Sequence, residues 1–247
     1  MQAKQTEVGI VKTLYRYPVK SMRGEEIEAS QVWWHGLEGD RKYAFVQSDN
    51  RSGFPWLTGR EIPTLLRFQP YFTNSANVKY SPVRVKTPSG QDLSLESDAL
   101  QQEIAQLTRL RFHLMQLGRG AVDSMAVSLI SLASIQAISD RIGERFLDPR
   151  RFRANVLVET FDGAPFSEEE WLGGQLVFGE RKDSARLHAN RQNVRCMMIN
   201  LDPDTARQNG KILRQVSQER DECAGIYGSV QAPGTIQVGD VIRLIRF

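Results

Sequence analysis

Cysteine is nearly absent from this chain: Cys196 and Cys223 are the two in 247 residues. Two thiols cannot build the disulfide framework of a secreted domain, which fits a reducing compartment, and they fall short of the roughly four cysteines that an iron–sulfur cluster needs. Histidine is almost as scarce. His35, His113 and His188 lie far apart without His-x-x-x-His spacing, so no zinc hydrolase is expected, and each reads as a surface or hydrogen-bonded core residue. The glycines form neither Gly-x-Gly-x-x-Gly nor a phosphate loop ending in Gly-Lys-Ser or Gly-Lys-Thr, and no Gly-x-Ser-x-Gly elbow occurs. A nicotinamide site, a nucleotide triphosphatase and a serine nucleophile of the usual kinds are therefore disfavoured. No apolar run approaches the roughly 18 residues that span a bilayer, and the polar start from Met1 to Glu7 lacks the apolar core of a signal peptide. A cytoplasmic protein with no membrane association is expected. Charge of one sign is missing too. The 32 basic and 29 acidic residues leave a net charge of +3, too balanced to expect a nucleic-acid partner, so any anion site must be local.

What is present is an ordinary globular composition, 40% hydrophobic and 25% charged, in a chain long enough for one large domain or two small ones. Val8 to Tyr15, Ile27 to Trp34, Lys42 to Val46 and Val83 to Val85 are short apolar or alternating runs divided by Gly, Pro, Asn and Ser, which is strand spacing. Pro88-Ser89-Gly90 predicts a hairpin between Val83-Val85 and Leu93-Leu95. Helices are predicted from a Ser97 or Asp98 cap to about Leu107, and from a Ser131 cap through Ile135, Ile138 and Ile142 to Gly143. Ser167-Glu168-Glu169-Glu170 has capping-box spacing, with Gly173-Gly174 ending that helix after about one turn. Strands are expected again at Asn155 to Glu159, Gln175 to Phe178, Ala185 to Ala189, Cys196 to Asn200 and Ile226 to Val230. A closing hairpin is expected from Thr235 to Val238 and Val241 to Ile245 around Gly239-Asp240. The fold expected is mainly β, of α+β class. Gly118-Arg119-Gly120 separates a strand-rich first half, residues 1–118, from a mixed second half, residues 119–247.

Several residues could carry chemistry. Cys196 follows Arg195, with Arg191 upstream, and cationic neighbours favour the thiolate that attacks or binds metal; an inert core cysteine is the ordinary alternative. Cys223 lies in Asp221-Glu222-Cys223, where carboxylates disfavour thiolate. Lys20-Ser21, after Tyr17-Pro18-Val19, could bind a phosphate oxygen together, or be a solvated turn. Arg41, in Gly39-Asp40-Arg41, and Arg153, in Arg151-Phe152-Arg153-Ala154-Asn155, offer guanidinium forks for an anion, or surface ion pairs. Trp33, Trp34, Phe54 and Trp56 could line a pocket, although aromatic residues in strands are more often core.

Taken in order, Tyr17-Pro18-Val19-Lys20-Ser21, Gly39-Asp40-Arg41, Phe152-Arg153-Ala154-Asn155, Arg195-Cys196, Asp202-Pro203-Asp204-Thr205 and Gly234-Thr235-Ile236-Gln237-Val238-Gly239-Asp240 resemble the MOSC proteins, named for the carboxy-terminal domain of molybdenum-cofactor sulfurase. Within them the likeness is to the mitochondrial amidoxime-reducing component and its bacterial relatives, and it covers nearly the whole chain. The resemblance implies an N-terminal small β-barrel domain followed by a MOSC β-barrel with a few flanking helices. It implies that Cys196 is the metal ligand and catalytic residue, and that Lys20, Ser21 and Arg41 hold the phosphate of the molybdenum cofactor (molybdopterin). Arg153 and Asn155 would contact the pterin, with Ala154 replacing the family's proline. Val127-Ser128-Leu129-Ile130-Ser131 would put Ser128 near the cofactor, and Arg195 would belong to the same shell. The activity implied is an oxidoreductase that reduces N-hydroxylated or N-oxide small-molecule substrates, with electrons from an external ferredoxin- or flavin-type protein. Two other readings stand beside it: a carrier of cofactor or persulfide sulfur at Cys196, and a module that grips another phosphorylated ligand such as pyridoxal phosphate.

Overall fold

The computed structural model describes residues 4–118, 120 and 124–246. Sixteen strands and three α-helices occur among them, and no helix is long and apolar enough to cross a membrane. The first half carries β1 (Lys4–Arg16), β2 (Glu25–Ile27), β3 (Ala29–Trp33), β4 (Gly36–Leu37), β5 (Tyr43–Gln47), β6 (Gln69–Phe72), β7 (Val83–Lys86), β8 (Asp92–Ser94), α1 (Asp98–Ala105) and β9 (Phe112–Gln116). The second half carries β10 (Val127–Ser131), α2 (Leu132–Arg141), β11 (Val156–Thr160), β12 (Gln175–Phe178), β13 (Arg186–Val194), α3 (Lys211–Arg220), β14 (Cys223–Ala232), β15 (Gly234–Gln237) and β16 (Val241–Arg246). The mainly-β expectation holds. The expected division after residue 118 falls beside Arg119, which lies outside the described residues.

Seven strands close into a barrel in the order β11-β10-β14-β13-β12-β16-β1, and β1 returns to pair with β11. Closure removes the exposed sheet edge that an open array would leave. One neighbouring pair, β10 with β11, is parallel, and a parallel pair needs a crossover, which α2 supplies. The barrel interior is filled by Val11, Leu14, Leu129, Val158, Phe178, Leu187 and Ile226, among others. The inward phase of β1 changes between Val11 and Leu14 because the register against β11 slips between Val11 and Thr13, as a bulge requires. A second core, with Val19, Phe45, Leu65, Phe68, Val85 and Leu100, fills the first half. Small sheets surround it: β5-β9, and β6-β7-β8. The Pro88-Ser89-Gly90 hairpin forms as expected, with Gly90 at φ 88°. Ser97 and Ser131 accept from Leu100 and Ser134 N–H and cap α1 and α2, and Gly143 at φ 76° lies beyond the end of α2.

Two expectations are corrected, and one helix appears that was not expected. β15 and β16 are not a hairpin: β15 pairs with β3, whereas β16 pairs with β1 and β12. Asp240 is buried at this corner, accepting from Gln237 N–H at 2.9 Å and from Arg181 at 2.5 and 2.7 Å, so the turn redirects the chain between sheets. Ser167 caps nothing, because Phe166 occupies the cap position of a 3-10 turn over Ser167–Trp171. Helix α3 has no sequence signal. Its Gly210 cap makes no side-chain bond, and the N–H of Leu213 is satisfied from far away by Asn200 Oδ1 at 2.8 Å.

Glu168 of that 3-10 turn is fully buried and joins two elements. Its carboxyl group accepts from Ser131 N–H at 3.1 Å and from Ser134 Oγ at 2.7 and 2.8 Å, tying the turn to the start of α2. Removing it strands buried donors, so Glu168→Ala is expected to lower unfolding free energy by about 2–4 kcal/mol, read as the shift of a urea unfolding midpoint.

Candidate functional site

Where β1 ends, the segment Tyr17 to Ser21 lies against the turn at Gly39 to Tyr43. Tyr17 N–H donates to Asp40 Oδ1 at 2.8 Å, Arg41 N–H to the Tyr17 carbonyl at 2.6 Å, and Lys20 N–H to the Tyr43 carbonyl at 2.8 Å. The Tyr17 ring is buried, and its hydroxyl donates to the Ala154 carbonyl at 3.2 Å. The guanidinium carbons of Arg153 and Arg41 stand 4.3 and 4.7 Å from the ring centroid. Burial pushes the phenol pKa well up, against the pull of Arg153 and Arg41, so the ring stays neutral and offers its face to both cations.

Arg41 also bonds Asp40 and donates to the Arg153 carbonyl at 3.1 Å. Arg153 donates to the Met22 carbonyl at 2.8 Å. Ser21, Arg41 and Arg153 hold φ at 65°, 48° and 50°, a left-handed conformation that costs a non-glycine residue of order 1 kcal/mol or more and gathers at functional sites. The Lys20 ammonium lies 5.4 Å from the Phe54 ring and 6.0 Å from that of Trp56.

The opposite wall comes from the barrel. Asn155 is buried, and its Oδ1 accepts from Ser128 N–H at 3.2 Å and Ser128 Oγ at 3.1 Å while its amide donates to the Tyr15 carbonyl at 3.3 Å. Ser128 and Asn155 therefore lock β10 to the approach of β11. Arg195 is buried and donates to the carbonyls of Ala224 and Phe152, each at 2.7 Å. With its amide oxygen turned to the guanidinium, Asn193 accepts from both terminal nitrogens at 3.2 Å and donates to Tyr227 Oη at 3.0 Å. All these partners are neutral. Burial lowers the Arg195 pKa to about 10, partly offset by Tyr227, Cys196 and Glu168, so the guanidinium remains charged at neutral pH. Gly225, at φ 73°, makes room for it: a Cβ there would stand 2.4 Å from the Leu129 carbonyl and 3.2 Å from Arg195 Nη2.

Cys196 follows as the cap of a 3-10 turn over Met197–Asn200. The strand expected from Cys196 to Asn200 is thus replaced by a turn, because distant partners fix it. Arg151 donates to the Asn200 carbonyl at 3.0 Å and to Asp202 Oδ2 at 2.8 Å. Asp202 Oδ1 in turn accepts from Thr205 N–H and Thr205 Oγ, each at 2.8 Å. The Asp202-Pro203-Asp204-Thr205 run therefore braces the thiol's turn. Cys196 is a partly exposed free thiol. Cys223 is buried, and its pKa is raised first by burial and then by Glu169 and Asp221; the leading cause is desolvation rather than the carboxylates that its sequence neighbours suggested.

One cleft brings all of the expected site residues together: Lys20, Ser21 and Arg41 from the first half, and Ser128, Arg153, Asn155, Arg195 and Cys196 from the barrel. Arg60, Thr58, Asn193 and Tyr227 join them without any spacing or motif that singled them out. Phe54 lines the cleft, whereas Trp33 and Trp34 are exposed elsewhere and belong neither to it nor to the core. Six cationic side chains line the cleft, from Lys20, Arg41, Arg60, Arg151, Arg153 and Arg195, and among the described residues no carboxylate does.

Releasing the Arg151 brace leaves the turn after Cys196 less ordered. In a Cys223→Ser background, Arg151→Ala is expected to speed iodoacetamide alkylation of Cys196 roughly fivefold, the factor that follows from about 1 kcal/mol for a lost hydrogen bond, with faster deuterium exchange over residues 197–201.

Two family descriptions match the chain: the MOSC domain over residues 116–243 and the MOSC N-terminal beta barrel domain over residues 8–130. No curated protein matches it. Among solved structures, the YuaD protein of Bacillus subtilis aligns over 100% of both chains at 14% identity with a TM-score of 0.52, a likeness of fold. YiiM of Escherichia coli aligns over 94% of this chain and 70% of its own, at 15% identity and a TM-score of 0.42. With an N-terminal barrel domain followed by a MOSC domain that spans just over half of its length, the chain belongs to the MOSC family.

Proposed function

We propose that the chain binds the molybdenum cofactor in this cleft and reduces N-hydroxylated or N-oxide compounds, taking electrons from a separate ferredoxin- or flavin-type protein. The observation that carries the reading is the pairing of a single soft thiol with six cations in one cleft. The donor set fits such a group. Among the described residues no three His, Cys, Asp or Glu side chains gather to hold a metal ion, so a metal at Cys196 must bring most of its ligands with it, as a dithiolene pterin does. The group's phosphate and sulfur anions suit the cationic lining.

In this reading Cys196 supplies the protein's ligand, next to the buried Arg195. Lys20, Ser21 and Arg41 hold the phosphate, the lysine as a point charge and the arginine as a fork. Arg153 meets the pterin edge, and Asn155, oriented by Ser128, presents its remaining amide proton there. The chemistry the group supplies when bound is removal of an oxygen atom from nitrogen, coupled to electron uptake. The protein's part is to fix the group's orientation through residues whose own partners are already set.

Protein purified with its cofactor is expected to contain molybdenum and pterin and to reduce a benzamidoxime with an artificial electron donor. Cys196→Ala is expected to lose that activity and most of the metal by mass spectrometry. Full molybdenum and activity in the variant would end the proposal, and bound cofactor without turnover in the wild type would favour a carrier.

A further inference from the structure

The first half and the barrel touch beside the thiol at a glycine. Gly59 is buried, and a Cβ built on it would stand 2.8 Å from Met198 Cε and 2.9 Å from both Met198 Sδ and Leu66 Cδ1, closer than packed carbon atoms approach. Its φ is not left-handed, so its neighbours, and not its backbone, exclude a side chain. Met198 is the second residue of the 3-10 turn that Cys196 caps and lines the cleft with it. The two turns that meet here are each fixed. In the first half, Leu57 N–H donates to the Phe45 carbonyl at 2.8 Å and Ile62 N–H to the Thr58 carbonyl at 3.0 Å, while Thr58 N–H and Oγ1 both donate to Glu61 Oε2 at 2.8 Å. Strand β5, which supplies Phe45, also supplies the Tyr43 carbonyl that accepts from Lys20 N–H, so Gly59 is registered on the same strand as the Lys20 segment. In the barrel, Ile199 N–H donates to the Cys196 carbonyl at 3.2 Å and Leu201 N–H to the Met198 carbonyl at 3.1 Å, and Ile199 is buried among Ile135, Ile212 and Val216.

With both backbones held, a group added at Gly59 must displace a side chain. Leu66 is 2% exposed, whereas Met198 is half-buried and borders the cleft, so Met198 is the one that yields, and it yields into the cleft. We propose that Gly59 is a positioning residue for the Cys196 site: its missing side chain is a notch that seats Met198 and keeps that thioether clear of the space beside the thiol. An unbranched, flexible methionine takes the rotamer its surroundings leave it, so the notch decides where its sulfur lies. A group gripped by Lys20 and Ser21 from one turn and by Cys196 from the other has to fit past the side chain at their junction. This inference rests on the reading of the cleft as the cofactor's site.

The test is a double-mutant cycle on the full chain, read as the rate at which iodoacetamide alkylates Cys196 in a Cys223→Ser background, with protein made in a host that lacks the pterin. Gly59→Ala is expected to slow alkylation roughly fivefold, the low end of what forced overpacking costs. In a Met198→Ala background the same substitution is expected to change the rate by less than about twofold, because the side chain it would displace is gone. A role in stability alone would lower the urea unfolding midpoint and leave these native-state rates equal. An unchanged or faster rate in Gly59→Ala, or the same slowing in both backgrounds, would overturn the assignment. Met198→Ala alone does not crowd the notch and is expected to be alkylated faster than wild type; an equal or slower rate there counts against the proposal even if Gly59→Ala does not fold. In protein made with its cofactor, Gly59→Ala is expected to retain less molybdenum per chain, and the double variant as much as Met198→Ala. Absence of molybdenum from every chain would mark failure of the cofactor reading, whereas the alkylation rates test the notch without it, so the two are told apart.

Discussion

The cleft depends on one buried tyrosine. Tyr17 joins three segments that are remote in sequence: its backbone bonds Asp40 and Arg41, its hydroxyl bonds the Ala154 carbonyl, and its ring faces the guanidiniums of Arg41 and Arg153. Two like charges held against one ring repel each other. Here each is anchored, Arg41 to Asp40 and to the Arg153 carbonyl, and Arg153 to the Met22 carbonyl. A buried phenol without a hydrogen-bond acceptor is costly, so the Ala154 carbonyl also fixes how far β11 stands from the end of β1. The N-terminal segment and the barrel meet at this residue.

Charge in the cleft is arranged asymmetrically. Two of its cations are met by carboxylates outside the lining: Arg41 by Asp40, and Arg151 by Asp202. Arg195 has neutral hydrogen-bond partners throughout, and burial depresses its pKa. A buried cation without a contacting anion costs folding free energy, and an anionic ligand recovers part of that cost by binding the folded state alone. The strained backbones of Ser21, Arg41 and Arg153 add to the same balance. Burial of Arg195 and these strained backbones thus make the cleft a costly piece of structure to fold.

Much of the fold is legible in the sequence because local rules and tertiary structure agree. Alternation marks the long strands, Ser97 and Ser131 mark their helices, and Gly90 marks its turn. What escapes the sequence is set by distant partners. Helix α3 begins at a glycine and relies on Asn200, Asp240 turns the chain between sheets instead of closing a hairpin, and Arg151 bends the expected Cys196 strand into a 3-10 turn. The site shows the same division. Lys20, Ser21, Arg41, Arg153, Asn155 and Cys196 stand in ordered motifs, and the fold gathers them in one cleft. Arg60, Asn193 and Tyr227 have no local pattern, and only the closing of the barrel beside the N-terminal turns brings them in.

The proposed function stands or falls with Cys196 as the protein's ligand to molybdenum. Molybdenum K-edge absorption on the cofactor-loaded protein, compared with Cys196→Ser carrying the same cofactor, tests it most directly. One sulfur scatterer fewer around the metal is expected in the variant, with a shifted edge. An identical sulfur shell in the two proteins would contradict it.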